Sequence, residues 1–68
     1  MQYQIEIRTG TKPAVIEAVT VPGHGVADAC RDARELLRKR DGVVWVKYAG
    51  LWVKQAAAER MEKYGVKS

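Results

Sequence analysis

The sequence contains few of the residues on which most enzyme and metal chemistry depends. It has one cysteine, one histidine and no phenylalanine. A single cysteine excludes an internal disulfide and suits a reducing compartment, so we expect a cytoplasmic protein. Structural zinc takes four ligands, chiefly cysteine and histidine, and only two such residues are present. We therefore expect neither a metal nor a cofactor.

Long apolar runs are missing too. No stretch approaches the roughly 20 apolar residues that a membrane-spanning helix needs. The first ten residues, MQYQIEIRTG, alternate between polar and apolar types, whereas a signal peptide has a basic segment followed by an apolar one. The sequence therefore predicts neither membrane insertion nor export.

Length and composition favour one small folded domain. The chain has 68 residues, of which 47% are hydrophobic and 29% charged, values close to those of folded globular proteins. A chain this short buries only about 60% of its unfolded surface, so we expect low stability. We predict a single domain over residues 1–65 and a loose tail over residues 66–68. The net charge is +4, and the segment after residue 42 contributes +3 of it, from five basic and two acidic residues.

The most regular pattern lies between Val26 and Arg40 and predicts an α-helix. Its apolar residues recur at steps of three and four, which places them on one stripe. That stripe comprises Val26, Ala29, Cys30, Ala33, Leu36 and Leu37. Gly42 is expected to adopt the left-handed conformation that closes the helix. Because the stripe should cover the main core, truncating either leucine to alanine is expected to cost about 2 to 5 kcal/mol.

Three segments predict β-strands. Residues 2–8 alternate strictly, with Tyr3, Ile5 and Ile7 on one face and polar residues on the other. Residues 14–21 are rich in β-branched residues and apolar on both faces, which is typical of a central strand or of one that contacts a partner. A loop containing Gly10 and Pro13 joins these two strands as a hairpin. Residues 43–48, VVWVKY, form the third strand.

The stretch after the third strand allows two interpretations. If Ala49 and Gly50 form a two-residue turn, residues 51–54 pair back on the third strand; otherwise a helix begins near Leu51. The turn would set the following residues opposite each other: Tyr48 and Leu51, Lys47 and Trp52, Val46 and Val53, Trp45 and Lys54. The buried face would then contain Val44, Val46, Tyr48, Leu51 and Val53.

Residues 55–64 favour a second helix that ends at Gly65, with a narrow apolar stripe of Ala57, Met61 and Tyr64. The predicted class is α+β. We expect an antiparallel sheet of three to four strands with the amphipathic first helix packed on one face and a C-terminal helix. The element order is ββαββα if residues 51–54 are a strand and ββαβα if they are not.

The candidate catalytic groups do not form a reactive set. His24 lies in the glycine-containing loop before the first helix, whereas Cys30 lies on the apolar stripe, where burial suppresses thiol reactivity. Asp28 and Asp32 share a helical face but stand among basic residues, which favours ion pairs. The loop glycines can expose backbone N–H groups to an anion, yet their spacing matches no phosphate-binding fingerprint. We expect no enzyme activity.

The strongest candidate surface combines two tryptophans with two lysines. With residues 51–54 as a strand, these side chains share one sheet face: Trp45, Lys47, Trp52 and Lys54. Tryptophan can stack on bases while ammonium groups neutralise phosphates. Tryptophan is also a favoured anchor of protein interfaces. A third interpretation places the tryptophans in the core beneath the second helix.

The exterior of the first helix and the residues after it carry a second basic group: Arg31, Arg34, Arg38, Lys39 and Arg40, of which the four arginines are the candidate contacts. Acidic residues interleave with these arginines and weaken the field they produce. A solvated helix face is therefore the first interpretation, and a ridge that contacts phosphates is the second.

From these features we expect a non-enzymatic binding module that attaches to a larger protein partner, as small bacterial or phage-encoded regulators and inhibitors do. A homodimer fits as well, because a marginal core gains stability when a partner surface is buried. The alternative is a nucleic-acid-binding protein that uses the tryptophans and lysines, with Arg38 and Arg40 as additional phosphate contacts.

Overall fold

The computed structural model describes residues 1–65 and contains four strands and two helices. The elements are β1 (Gln2–Thr9), β2 (Val15–Pro22), α1 (Val26–Leu37), β3 (Val43–Tyr48), β4 (Leu51–Lys54) and α2 (Gln55–Tyr64). The order is thus ββαββα, and the predicted α+β class is confirmed. The predicted tail, residues 66–68, lies outside the described residues.

The four strands form one antiparallel sheet in the order β2-β1-β3-β4. The two hairpins therefore meet at the centre of the sheet, where β1 pairs with β3. Side chains alternate between faces along each strand. The alternation predicted for β1 is confirmed, because Tyr3, Ile5 and Ile7 are all buried.

Both helices pack on the same face of the sheet. The core consists of Tyr3, Ile5, Ile7, Val21, Val26, Ala29, Cys30, Ala33, Val44, Val46 and Ala58, with Val19, Leu37, Tyr48 and Val53 partly buried against it. Most of the helix residues in this core are small, namely Ala29, Cys30, Ala33 and Ala58, whereas Val26 and Leu37 contribute larger side chains at the two ends of α1. The sheet face that the helices cover is therefore mainly apolar, whereas the uncovered face also carries charged, amide and hydroxyl side chains.

The second hairpin forms as the turn interpretation required. Trp45 pairs with Lys54 and Tyr48 with Leu51, which is the predicted register. Ala49 and Gly50 both have positive φ angles, of 54° and 80°. Two successive residues of this kind match the right-handed twist of the flanking strands. Leu51 lies at the end of the sheet and is exposed, so its predicted burial is wrong.

The first helix ends earlier than its sequence pattern predicts. The α-helix stops at Leu37, and Arg38, rather than Gly42, takes the left-handed conformation, with φ 54° and ψ 42°. Backbone N–H groups of Arg38 and Lys39 donate to carbonyl oxygens of the last turn. Gly42 has a different role: its φ is 104°, and a Cβ there would lie 2.5 Å from Thr9 Cγ2. It allows the chain to pass close to β1.

The predicted burial of Leu36 is wrong, since 65% of this residue is exposed. The sheet ends at β2, and no strand lies beyond it to cover Leu36 within residues 1–65. Leu36 instead lines a shallow depression beside Val21 and Pro22. Leu37 packs partly on the core, so one of the two leucines behaves as expected.

The second strand is an edge strand, so the first of its two interpretations, a central position, is wrong, and the second, contact with a partner, stays a prediction. Although its side chains are apolar on both faces, β2 has a neighbouring strand, β1, on one side only. On α2, the buried residue is Ala58, and Tyr64 of the expected stripe is exposed. That helix packs against α1 as well as the sheet, which turns its contact face towards Ala58 and Glu62.

Glu62 ties three elements together. One carboxylate oxygen accepts a hydrogen bond from the Tyr3 hydroxyl at 2.9 Å, and the other accepts from the backbone N–H of Val26 at 3.0 Å. The second bond caps the start of α1, where Gly25 offers no side chain. Burial, followed by the bond to Glu62, raises the pKa of Tyr3, so its hydroxyl remains a donor at neutral pH.

Candidate functional site

The sheet face opposite the helices carries most of the candidate binding residues. We call it the open face, because neither α1 nor α2 packs on it. It consists of Gln2, Gln4, Glu6, Arg8, Ile16, Ala18, Thr20, Pro22, Val43, Trp45, Lys47, Trp52 and Lys54. The interpretation that α2 covers the tryptophans is therefore wrong. Both tryptophans are half-buried within the open face itself.

Tryptophans and lysines alternate across the second hairpin in a chequered pattern. Trp45 lies directly opposite Lys54, and Lys47 lies directly opposite Trp52. Side chains directly opposite in an antiparallel pair have Cβ atoms about 4.5 to 5.5 Å apart. Each tryptophan of the hairpin is therefore directly opposite a lysine on the other strand of the hairpin. Both lysines are exposed and can meet a ligand.

Trp45 interacts with cations from both neighbouring strands. The Arg8 guanidinium lies 4.3 Å from the ring centroid of Trp45, and the Lys54 Nζ lies 5.8 Å from it. Both distances fall within the range of cation–π attraction. Arg8 also forms an ion pair with Glu6 at 2.8 Å. Arg8 was not among the predicted site residues, because the register between β1 and β3 cannot be read from either strand alone.

Trp52 lines a shallow groove that crosses the sheet. The groove is bordered by Gln4 of β1, by Ala18 and Thr20 of β2 and by Trp52 of β4. It therefore combines one large aromatic surface with amide and hydroxyl groups that donate and accept hydrogen bonds. Gln4 and Thr20 were also missing from the predicted site residues, because polar residues on the solvent-exposed face of a strand give no signal of binding in the sequence.

The structure separates the arginines of the first helix from the open face. α1 packs on the other side of the sheet. Its arginines have different local contacts and do not form one surface with the tryptophans. Arg31 pairs with Asp28. Arg34 donates to the carbonyl oxygens of the following loop, among them those of Arg40 at 3.0 Å and Gly42 at 3.1 Å. Arg38 forms the end of the helix.

His24 and Cys30 are not brought together as a reactive pair. His24 is exposed in the loop, whereas Cys30 is buried in the core. Burial, followed by the negative charge of Glu59, raises the pKa of Cys30 to about 11, so the thiol is protonated at neutral pH. The start of α1 is likewise occupied, because Glu62 already accepts the N–H of Val26.

The described part of the chain offers neither a metal site nor a membrane-spanning helix. Among residues 1–65, no three histidine, cysteine, aspartate or glutamate side chains cluster as a metal site would require. Neither α1 nor α2 has the length and apolar character needed to span a membrane. Comparison of the chain with protein-family models, curated proteins and solved structures finds no match.

Proposed function

We propose that this protein is a non-enzymatic binding module whose open face binds single-stranded nucleic acid. The chequered arrangement of Trp45, Lys47, Trp52 and Lys54 is the observation that carries the proposal. Proteins that bind single strands without strong sequence preference combine stacking aromatics with cations that follow the phosphate backbone. In this sheet, both components lie on two adjacent strands.

The pattern suits an anionic ligand with planar groups better than it suits a protein surface. The centres of protein interfaces are enriched in tryptophan but depleted in lysine. Here each tryptophan is opposite a lysine, so no continuous apolar patch forms around the two indoles. A protein partner would have to desolvate both ammonium groups to reach them. A nucleic acid can pair each ammonium with a phosphate while a base contacts the neighbouring indole.

The charges of the open face support the same ligand. Its basic residues are Arg8, Lys47 and Lys54, and its single acidic residue, Glu6, is already paired with Arg8. Because Arg8 is engaged with Glu6, two phosphate contacts remain, which predict a slope of about −1.4 for the logarithm of affinity against that of salt concentration. A rise from about 50 to 200 mM salt should then weaken binding roughly 7-fold.

The two tryptophans have different roles in the proposal. Trp52 borders the groove, so we assign it as the residue on which a base stacks. Trp45 holds Arg8 and Lys54 in place through its ring and so acts as a positioning residue. Stacking of one base on an aromatic residue contributes about 1 to 3 kcal/mol. Trp52→Ala should therefore weaken binding roughly 5- to 150-fold.

The test uses a fluorescein-labelled single-stranded 12-mer, whose anisotropy is followed as the full chain is added at low salt. We expect saturable binding that weakens with salt, and loss of binding in the double variant Lys47→Glu, Lys54→Glu. A matched control is Arg60→Glu, Lys63→Glu, which changes the net charge equally. Those two residues are exposed on α2, on the other side of the sheet.

Three results would overturn the proposal. The first is no anisotropy change at low salt, which would favour the protein partner that tryptophan anchors also allow. The second is equal weakening by the two charge-reversed pairs, which would mean that only the net charge matters. The third is Trp52→Ala binding like the wild type. Circular dichroism of each variant checks that the sheet is intact.

The cellular location is part of the same proposal. The single cysteine, Cys30, is buried as a free thiol. A free thiol is compatible with a reducing environment. We place the protein in the cytoplasm, where single-stranded nucleic acid is also available to it.

A further inference from the structure

The outer edge of β2 lacks the features that normally protect an edge strand. Natural proteins shield such edges by keeping them short, by interrupting them with bulges or proline, or by placing lysines on them. β2 has eight residues in continuous register with β1, contains no lysine, and has its only proline at the last position. The opposite edge strand, β4, has four residues and ends in a lysine.

The hydrogen-bonding groups that β2 presents outwards can be assigned from the ladder. The tight turn of the second hairpin makes Tyr48 and Leu51 a hydrogen-bonded pair. Along antiparallel strands, residues bond alternately to the neighbour on one side and to the neighbour on the other. The Tyr48–Leu51 pair therefore decides which residues of β3 bond to β1, and in turn which residues of β1 bond to β2. The bond from Gly23 N to Met1 O, at the next position of the β1–β2 register, agrees with this assignment. The even-numbered residues Ile16, Ala18 and Thr20 therefore point their N–H and C=O groups to the open side.

Exposed apolar side chains border this edge on both faces of the sheet. Val15 is 47% exposed, Ile16 54% and Leu36 65%. Leu36 lines the depression beside Val21 and Pro22, at the far end of β2 from Val15. The one charged residue of β2, Glu17, is paired with Lys39 at 3.4 Å. The strand itself is therefore apolar and close to electrically neutral, whereas Asp32 and Glu35 of α1 add acidic groups to the lining of the depression.

We infer that β2 pairs antiparallel with β2 of a second copy of this chain. The pairing has a twofold axis perpendicular to the sheet at Ala18, so that Ala18 faces its own copy. Ile16 then faces the second copy's Thr20, and all three outward N–H groups of each strand find carbonyl acceptors. Val15 lies opposite the second copy's Val21 and enters the depression next to its Leu36. One contact thus covers all three exposed apolar residues.

The neighbouring registers fit less well. With the axis at Glu17, the two glutamates would face each other, and like charges directly opposite are destabilising. With the axis at Val19, Ile16 would face the second copy's Pro22, which has no N–H to donate. An axis between residues would set side chains of opposite faces against each other, which antiparallel pairing does not allow.

The dimer extends the sheet to eight strands and places both open faces on the same side. A strand-to-strand contact buries less than the roughly 800 Å² per partner of a standard interface. We therefore expect a dissociation constant in the micromolar range, so that the protein is monomeric when dilute and dimeric when concentrated. The dimer does not depend on nucleic-acid binding, and its test contains none.

The first experiment is sedimentation equilibrium of the full chain between roughly 1 and 500 μM, a range chosen around the expected dissociation constant. The wild type should shift from monomer to dimer. Ala18→Lys sets two ammonium groups face to face at the axis and should weaken the dimer at least tenfold. The control, Gln4→Lys, adds the same charge to the same face one strand further in and should dimerise like the wild type. A monomeric wild type at 500 μM, or a dimer unaffected by Ala18→Lys, overturns the inference.

A second experiment reads the register and does not depend on the stability of the lysine variant. Directly opposite residues in a hydrogen-bonded pair have Cα atoms about 5.5 Å apart, within the range that a disulfide spans. Ala18→Cys should therefore oxidise to a covalent dimer at micromolar concentration. Thr20→Cys faces Ile16 of the second copy and should remain mostly monomeric under the same conditions. Equal cross-linking of the two variants, or cross-linking of Thr20→Cys alone, contradicts the proposed pairing.

Discussion

Glu62 offers the sharpest test of how the second helix is held to the rest of the fold. Its two carboxylate oxygens accept from the Tyr3 hydroxyl at 2.9 Å and from the backbone N–H of Val26 at 3.0 Å. Replacing Glu62 with alanine removes both acceptors. Tyr3 is only 5% exposed with Glu62 in place, but Glu62 is itself exposed, so its removal lets water reach part of the hydroxyl.

The expected loss of stability follows from these two bonds. Loss of this part-buried hydrogen bond to a charged acceptor costs about 1 to 3 kcal/mol, towards the lower end where water takes the place of the carboxylate. Loss of a helix cap costs about 1 kcal/mol more. The free energy of unfolding should therefore fall by about 2 to 4 kcal/mol. For a domain of this size, 1 kcal/mol corresponds to about 4 to 8 °C in melting temperature, so Tm should drop by roughly 8 to 30 °C.

The assay is thermal and urea unfolding of Glu62→Ala at low micromolar concentration, followed by circular dichroism. Glu59→Ala is the matched control, because Glu59 lies on the same helix and is exposed like Glu62 but does not accept the bonds from Tyr3 and Val26. Both variants change helix propensity and net charge equally. Tyr3→Phe should remove most of the difference between them, since it removes the stranded donor. If Glu62→Ala and Glu59→Ala unfold alike, the role assigned to Glu62 is wrong.

Two further predictions concern the first helix. Leu36→Ala should change the free energy of unfolding of the dilute monomer by less than about 0.5 kcal/mol, because Leu36 is exposed. Leu37→Ala should cost about 2 kcal/mol, because Leu37 packs on the core. A larger effect at Leu36 than at Leu37 in urea titrations would contradict the packing described above. Cys30, with its pKa raised to about 11 by burial, should react with iodoacetamide at pH 8 roughly 240-fold more slowly than an ordinary thiol of pKa about 8.5. Its rate should rise about tenfold per pH unit towards pH 11 as long as the protein stays folded, because the thiolate is the reacting form. Rapid labelling of folded protein at pH 8 would show that Cys30 is accessible.

Part of the candidate site could be predicted from the sequence because a two-residue turn determines its register. Once Ala49 and Gly50 form the turn, the pairing of Trp45 with Lys54 follows from counting. No local signal of this kind links β1 to β3, which are separated by a hairpin and a helix. Arg8, which lies over the ring of Trp45, was therefore found only in the structure.

The sequence by itself determined the α+β class, the strict alternation of β1, most of the first helix and, on the condition that Ala49 and Gly50 form a turn, the register of the second hairpin. These features depend on the period of apolar residues and on turn geometry, which act over neighbouring positions. The tertiary structure alone decided that β2 lies at the edge, that Leu36 is exposed and that Glu62 caps the first helix. Each of these depends on which elements come together across the chain, and the local period of a segment carries no information about that.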